Sequence, residues 1–373
     1  AIIKRLVEVN NGTKEPDDID HLSNRRIRSV GEVLVKQLAV GVRRLEKNIK
    51  DKMSMYGQDA KLTPSMLIST KPISAAVQSF FGSNQLSSFM DQSNILSELE
   101  NKRKVTASGP GGIDKQRATF SVREVHNSHY SRFDPVTSPE SSSIGVVTQL
   151  AMLARVNDFG FLEAPYRRVM QTVVNDGKSA VGRILLEDVK GVKAGKPLSE
   201  ADAKKLAAEK SIKELNVKSY IVSEMEYLDA ATEEQRNITI ASIETDEYNN
   251  IVPSIVPTRK AGDFVLEDVQ MVSHVDVITS QQAGLGMSLI PFVAHDDSMR
   301  ALAGSNMQRQ AVPLLKQEAP LVGTGIEEVV GRNSSWAVFA EDEGVVELAD
   351  AKTIVVNYKK VGRRNYNLRK FYR

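Results

Sequence analysis

With 373 residues, 41% hydrophobic and 26% charged, the chain is long enough for two or more packed units around an ordinary core. Its 49 basic and 47 acidic residues leave a formal charge of +2, so an electrostatic partner must be sought in local clusters. The lack of cysteine excludes a disulfide framework, a thiolate nucleophile and a zinc finger, and fits a reducing compartment. Residues 1–8 carry early charges and no long apolar core, unlike a signal peptide. No apolar run approaches the ~20 residues of a membrane span, and a cytoplasmic location is expected.

Residues 1–33 are polar, with Arg25, Arg26 and Arg28 clustered. On a helix, Arg25 and Arg28 would share a face and grip phosphates; a salt-bridged, solvated face is the alternative. Val33, Leu34, Leu38, Val40, Val42 and Leu45 predict a helix from Val30 to about Met55. Thr63-Pro64 reads as the start of a short helix around Met66 to Ile68, and Pro72-Ile73-Ser74 opens another toward Phe81. From Gly82 to Gly145 turn residues become frequent, as in functional surface or disorder, with Ala118 to Val125 predicted as a strand. Further strands are predicted at Ser219–Val222, Ile238–Ile243 and Val272–Ile278, and a charged helical insert at about 199–215, capped by Ser199. Trp336 to Tyr358 reads as strands, ahead of a basic aromatic tail holding Lys359, Lys360, Arg363, Arg364, Arg369, Lys370 and Arg373.

Three places carry chemistry. KRKVTASGPGG (102–112) sets a glycine-rich turn among Lys102, Arg103, Lys104, Lys115 and Arg117. Its glycines permit positive φ, and its amides can form an anion-binding nest; a plain surface turn is the simpler reading. His126 and His129, with His295-Asp296-Asp297, are metal-ligand types, but a strand continued through 118–125 would put the two histidines on opposite faces, so structural histidines are preferred. HDDSMRALAGSNMQRQAVP (295–313) gathers the donors Arg300, Asn306, Gln308, Arg309 and Gln310 beside small residues, as in a polar interface that admits a nucleotide or nucleic-acid backbone.

Six stretches, in order, resemble bacterial RNA polymerase β subunits: DDIDHLSNRRIRSVGE (17–32), FFGSNQLSSFMDQSNILSELENKRKVTASGPGGI (80–113), FSVREVHNSHYSRFDPVTSPE (120–140), FGFLEAPYR (159–167), IPFVAHDDSMRALAGSNMQRQAVPLL (290–315) and PLVGTG (320–325). The resemblance covers nearly the whole chain. It implies an α+β, mixed multidomain architecture of fork and protrusion segments with short helices and twisted antiparallel strands. Residues 1–33 would end the lobe and start the fork, 34–85 belong to the protrusion, 86–290 form the fork with its external region, and 291–373 begin the hybrid-binding part. Because family chains are far longer, a central segment or a split subunit is expected.

The same resemblance implies the activity of DNA-directed RNA polymerase, a nucleotidyltransferase, with this segment inactive alone. Mg²⁺ would be held mainly by aspartates of the partner β′ subunit, with no catalytic residue and no metal ligand in this chain. Implied partners are β′, the rest of β, the α dimer, σ factor, template DNA, nascent RNA and nucleoside triphosphates, with no membrane. By motif, Arg300 and Asp297 would lie at the incoming nucleotide, and Asn306, Arg309 and Gln310 beside the RNA end. Gly111, Gly112, Lys115 and Arg117 would meet downstream DNA. The rifamycin pocket would comprise Ser88, Phe89, Asp91, Asn101, Arg103, Lys104, Thr106, Ser108, Pro139, Glu140, Ser143 and Val147.

Several pocket positions depart from the family pattern. Ser88 replaces glutamine, Asn101 histidine, Lys104 arginine, Thr106 serine and Ser108 leucine, and Ser141-Ser142-Ser143 replaces Gly-Pro-Asn. Lysine lacks arginine's planar fork, and each lost hydrogen-bond partner costs about 1–3 kcal/mol, so rifampicin resistance is expected. A binding or assembly module without turnover is the alternative to the polymerase reading; a metallohydrolase built on the histidines is a third.

Overall fold

Several helices begin where the sequence supplies a capping side chain or a first-turn proline. A computed structural model describes residues 2–56, 63–209 and 211–368. They divide into two compact units, residues 1–324 and 325–373, and the architecture is α+β with antiparallel and mixed sheets. The first part is helical: α1 (Ile2–Asn10), α2 (Val30–Tyr56), α3 (Pro64–Leu67), α4 (Lys71–Ser83) and α5 (Ile95–Arg103). Both α3 and α4 carry proline in the first turn, where its missing N–H costs no helical bond. Buried Gly41 lets α2 press on α4: a Cβ there would lie 3.0 Å from the Ala76 Cβ and 3.3 Å from the Pro72 carbonyl. That contact outweighs the ~1 kcal/mol propensity penalty of glycine in a helix interior.

Next come β1 (Lys104–Thr106), α6 (Phe120–Arg123), β2 (Val147–Gln149), β3 (Arg155–Val156), β4 (Leu162–Val174), α7 (Glu200–Ala207), β5 (Glu214–Asp229) and α8 (Ala230–Glu234). The unit continues with β6 (Ile238–Thr239), β7 (Ile255–Lys260), β8 (Asp263–Asp268), β9 (His274–Asp276), α9 (Leu285–Ser288) and α10 (Ser298–Gln308). The strand expected at Ala118–Val125 is instead the single helical turn α6 between extended Thr119 and Glu124. Arg123, at its end, is drawn into bonds with two other loops, a tertiary demand that overrides the local alternation.

Strand β4 organises the seven-stranded sheet. Antiparallel β5 runs along one edge from Glu163↔Asp229 to Val174↔Glu214, with two register shifts; β3 and β9 share the other. The order continues through β6, parallel to β9, to the β7–β8 hairpin. Ser199 caps α7 by accepting from the Asp202 amide at 3.2 Å, as its sequence predicts. The helix stops at Ala207 rather than near 215, because Glu214 and Leu215 pair with the end of β4. Around it Ala180, Leu185, Leu198, Ala203 and Leu206 close a core with Val173, Leu215 and Val217. A second core gathers Val169, Ile251, Val256, Val269, Val272 and Val275 on the sheet.

Between these elements sits a buried polar centre. Wholly buried Arg132 donates to the carbonyls of Leu162 (3.0 Å) and Leu228 (2.8 Å) and pairs with Glu233, whose other oxygen pairs with Arg259. Arg259 lies 4.1 Å over the Tyr130 ring and 3.8 Å from Asp276. The Tyr130 hydroxyl donates to Asp276 at 2.8 Å, and Gln281 donates to Asp276 at 3.2 Å and to Ser131 at 2.7 Å. Ser131 takes φ 58°, a left-handed turn that rarely suits a non-glycine residue. Burial pushes the Asp276 carboxyl up to about 6, against the Tyr130 bond and the Arg259 charge. Burial also drives the Tyr130 and Tyr166 hydroxyls far above their usual range, helped by the neighbouring carboxylates.

The second unit comprises α11 (Glu327–Arg332) and an antiparallel meander of β10 (Gly344–Ala349), β11 (Thr353–Tyr358) and β12 (Gly362–Asn367). Arg363 and Arg364, expected in a tail, lie on β12 and face Glu347 (3.1 Å) and Glu341 (3.7 Å); Lys359 faces Glu343 (2.5 Å). These ion pairs tie β12 and the β11–β12 turn back to β10 and the segment just before it. Arg369, Lys370 and Arg373 fall outside the described residues.

Glu233 neutralises the wholly buried guanidinium of Arg132 and the half-buried one of Arg259. Glu233→Ala should therefore cost about 3–5 kcal/mol, because it leaves uncompensated buried charge. Urea denaturation of the full chain checks this; a loss below about 1 kcal/mol would contradict it.

Candidate nucleic-acid interface

The glycine-rich loop depends on backbone freedom. Gly109 and Gly111 have φ +129° and +77°, and a Cβ on Gly112 would come 2.5 Å from the Ala107 carbonyl, so the turn needs glycine. The Gly112 amide donates to Gly109 (2.9 Å) and the Ile113 amide to Ala107 (3.0 Å). Those two donors are spent inside the turn and are withdrawn from any anion nest.

Arg28 donates to the Pro110 carbonyl at 3.2 Å, and Arg123 grips the loop's far side. The Arg123 guanidinium bonds the carbonyls of Lys115 (2.9 Å), Ala118 (3.4 Å), Ser142 (3.0 Å) and Ile144 (2.6 Å). Lys115 and Arg117 are left exposed at the rim.

The arginine cluster upstream is not helical. Residues 25–29 precede α2; Arg26 makes two bonds to Glu32 (2.7 and 2.9 Å), and Arg25 sits 3.6 Å from Asp20. Arg25 and Arg28 thus serve intramolecular partners, one an aspartate and the other a loop carbonyl, rather than one phosphate-gripping helix face.

Two separate stretches of the predicted antibiotic pocket meet through β1 and β2, which pair Lys104↔Gln149 and Thr106↔Val147. Arg103 turns inward and donates to the carbonyls of Ala151 (2.5 Å) and Met152 (3.3 Å); burial lowers its pKa. The hydroxyls of Thr106 and Ser108 bond each other at 2.8 Å. Asn101, Pro139 and Ser143 are half-buried, while Ser88, Phe89, Asp91, Lys104 and Glu140 are exposed, Phe89 at 93%. Asp91 accepts from the Ser93 amide and hydroxyl.

Helix α10 carries the donor-rich block. Asp297 caps it, accepting from the Met299 amide at 3.2 Å, and Arg300 projects from the first turn, exposed and without an ion pair among the described residues. Asn306 donates to the Ser138 carbonyl and the Glu140 carboxylate, both at 3.2 Å, and accepts from Arg309. Gln310 is exposed just beyond the helix.

Sequence reasoning missed the groups beneath. Buried Asp134 accepts from the amides of Val136 (2.8 Å), Thr137 (3.0 Å) and Gly284 (2.9 Å), and Thr137 meets Ser305 of α10 at 3.2 Å. Asp134-Pro135 was a readable turn signal. Asn94 caps α5 and donates to the carbonyls of Gln308 (2.8 Å) and Ala311 (2.9 Å). Glu100 reaches within 3.1 Å of Arg309.

His21, His126 and His129 are engaged within the chain. His126 bonds Asp18 at 2.7 Å, and His21 lies 3.6 Å from Glu234. His129 sits edge-on to Phe133 at 5.3 Å, its Nδ1 accepting from the His126 amide at 3.3 Å. His126 and His129 bracket a 3-10 turn, not the strand that would have separated them. Among the described residues no three histidine or carboxylate side chains converge as a metal-binding group.

These elements bring polar groups from distant segments together around α10 and the 138–140 loop. Three family models match: "RNA polymerase Rpb2, domain 2" at residues 1–28, "RNA polymerase Rpb2, domain 3" at 88–156 and "RNA polymerase beta subunit external 1 domain" at 212–277. The chain is similar along its whole length to the DNA-directed RNA polymerase subunit beta of Dehalococcoides mccartyi strain CBDB1, 42% identical over 378 residues and 30% of that protein. It is likewise 41% identical to those of Solibacter usitatus and Chloroflexus aggregans, spanning 26% and 34% of their lengths. The chain belongs to the bacterial RNA polymerase β subunit family, and it spans about a third or less of the length of these relatives.

Burial, then the charges of His126, Arg25 and Arg132, holds His129 down to about 4 against its usual 6.5, so the fold keeps it neutral. Its contribution to stability is complete above about 6.5 and lost as pH falls from there toward about 4. In thermal melts across that window, the difference between the wild type and His129→Phe should shrink or reverse on acidification; a constant difference would contradict the assignment.

Proposed function

We propose that this chain works as the central part of a bacterial RNA polymerase β subunit, positioning incoming nucleotide, RNA end and downstream DNA during RNA synthesis. The observation that carries the reading is helix α10, which presents an exposed Arg300 in its first turn and ties Asn306 to Ser138 and Glu140. An unpaired guanidinium at a helix start suits a triphosphate, which it can hold by paired donors. Arg309 and Gln310 border the RNA end in this reading. Lys115 and Arg117, on a loop braced by Arg28 and Arg123, meet downstream DNA along with the backbone at Gly111 and Gly112.

In this reading the carboxylates of this chain do not hold Mg²⁺ by themselves. Asp297 is engaged as a helix cap, and no metal-binding group of three converges among the described residues. Two-metal phosphoryl chemistry requires such a cluster, which this reading assigns to the partner β′ subunit. The chain's own contribution is orientation and charge stabilisation. The remaining partners are the rest of β, the α dimer, σ factor, template DNA, nascent RNA and nucleoside triphosphates, in the cytoplasm. Among the described residues no helix is long and apolar enough to cross a membrane.

Arg300→Ala in an assembled polymerase should lower kcat/KM for nucleotide on the order of tenfold or more, seen in single-nucleotide extension. Unchanged kinetics would remove Arg300 from the site and favour a binding module without turnover. The same polymerase should resist rifampicin at concentrations that stop sensitive enzymes. Supporting this, Arg103 and the Thr106–Ser108 hydroxyl pair are engaged within the chain. Full inhibition at low drug concentration would contradict the expectation.

A further inference from the structure

Helix α5 delivers a carboxylate to a place where charge is costly. Glu100 is 2% exposed, and a Cβ on Gly286 of α9 would lie 2.4 Å from its Oε1. Its Oε2 is 3.1 Å from Arg309 Nε, close enough for an ion pair, although the N–H is not aligned on the oxygen. The Arg309 guanidinium donates to Asn306, and Asn306 donates to Ser138 and Glu140. A continuous polar path therefore runs from α5 through the end of α10 to the 138–140 loop.

We propose that Glu100 is a positioning residue for Arg309 and, through it, for Asn306, acting as a proton-dependent anchor that holds the guanidinium when ionised and releases it when protonated. The inference rests on the reading that Arg309 and Asn306 border the RNA end. Every element packed on Glu100 bears on its charge. Burial raises its pKa most; Arg309 of α10 and the Gly286 amide of α9 lower it, Asp134 raises it, and Lys104 of β1 lowers it, leaving the carboxyl near 7. The protonated, releasing form thus gains ground below about 7, and the anchoring form above it.

The test uses the reconstituted polymerase with this segment inside its β subunit, comparing wild type, Glu100→Gln, Arg309→Lys and the double variant in RNA extension from pH 6 to 8.5. Glu100→Gln should lower kcat roughly five- to tenfold at pH 8, with nucleotide KM within about twofold, and match wild type near pH 6. The wild-type to Gln ratio should therefore rise through about 7. The double variant should be no slower than Arg309→Lys, because Glu100 acts through Arg309. If Arg309→Lys is impaired while Glu100→Gln follows wild type at every pH, the anchor is overturned and the polymerase reading stands. If neither variant is impaired, the role of Arg309 beside the RNA falls and the anchor with it. Should the Gln variant fail to assemble, Glu100→Asp retains the charge on a shorter reach. An intermediate kcat that keeps its pH step supports the anchor, and a profile identical to wild type overturns it.

Discussion

Glu233 lies between Arg132 and Arg259, and the sheet, the helical turn α8 and the 130–134 segment all converge on that carboxylate. Arg132 and Arg259 against Glu233 and Asp276 make a cluster without net charge when all are ionised, so burial is tolerable as long as each member is present. Arg132 also bonds carbonyls of Leu162 and Leu228, on the adjacent strands β4 and β5. The left-handed turn at Ser131 separates Tyr130 from Arg132 along the chain while both reach the same centre. Apolar packing alone would allow these strands to slide; directional bonds to a buried guanidinium specify one arrangement.

The candidate interface hangs from that centre. Two residues after Arg132, Asp134 receives amides from its own turn and from Gly284, and Thr137 touches Ser305 of α10. The 138–140 loop then meets Asn306. A displacement at Arg132 would therefore pass along one short stretch of backbone to the wall on which Asn306 and Arg309 stand. The glycine-rich loop is secured separately, by Arg28 and Arg123, and leaves Lys115 and Arg117 exposed.

Helices with sustained apolar spacing were readable from the sequence: α2 ends within a residue of its predicted limit, and α4 and the Ser199 cap also agree. The long strands were less legible. Of β5 only Ser219–Val222 stood out, and β4 was not predicted as a strand, because register shifts and burial on both faces erase simple alternation. In α10 the donors Arg300, Asn306 and Arg309 were visible as a motif, yet their relation to Glu140 and Glu100 was not. Those contacts join residues 166 and more positions apart, and no local pattern encodes them. Glu100 was hidden for a further reason: on a short charged helix a buried glutamate looks like its solvated neighbours.

The insert between β4 and β5 closes its own core from Leu185, Leu198 and Leu206, well along the strands from the Glu233 centre. Its apolar contacts are largely with itself and the adjoining strand ends, while Gly182 and Arg183 also bond Asn250 and the Tyr248 carbonyl. With a core of its own, the insert can open locally while the centre around Arg132 keeps its shape.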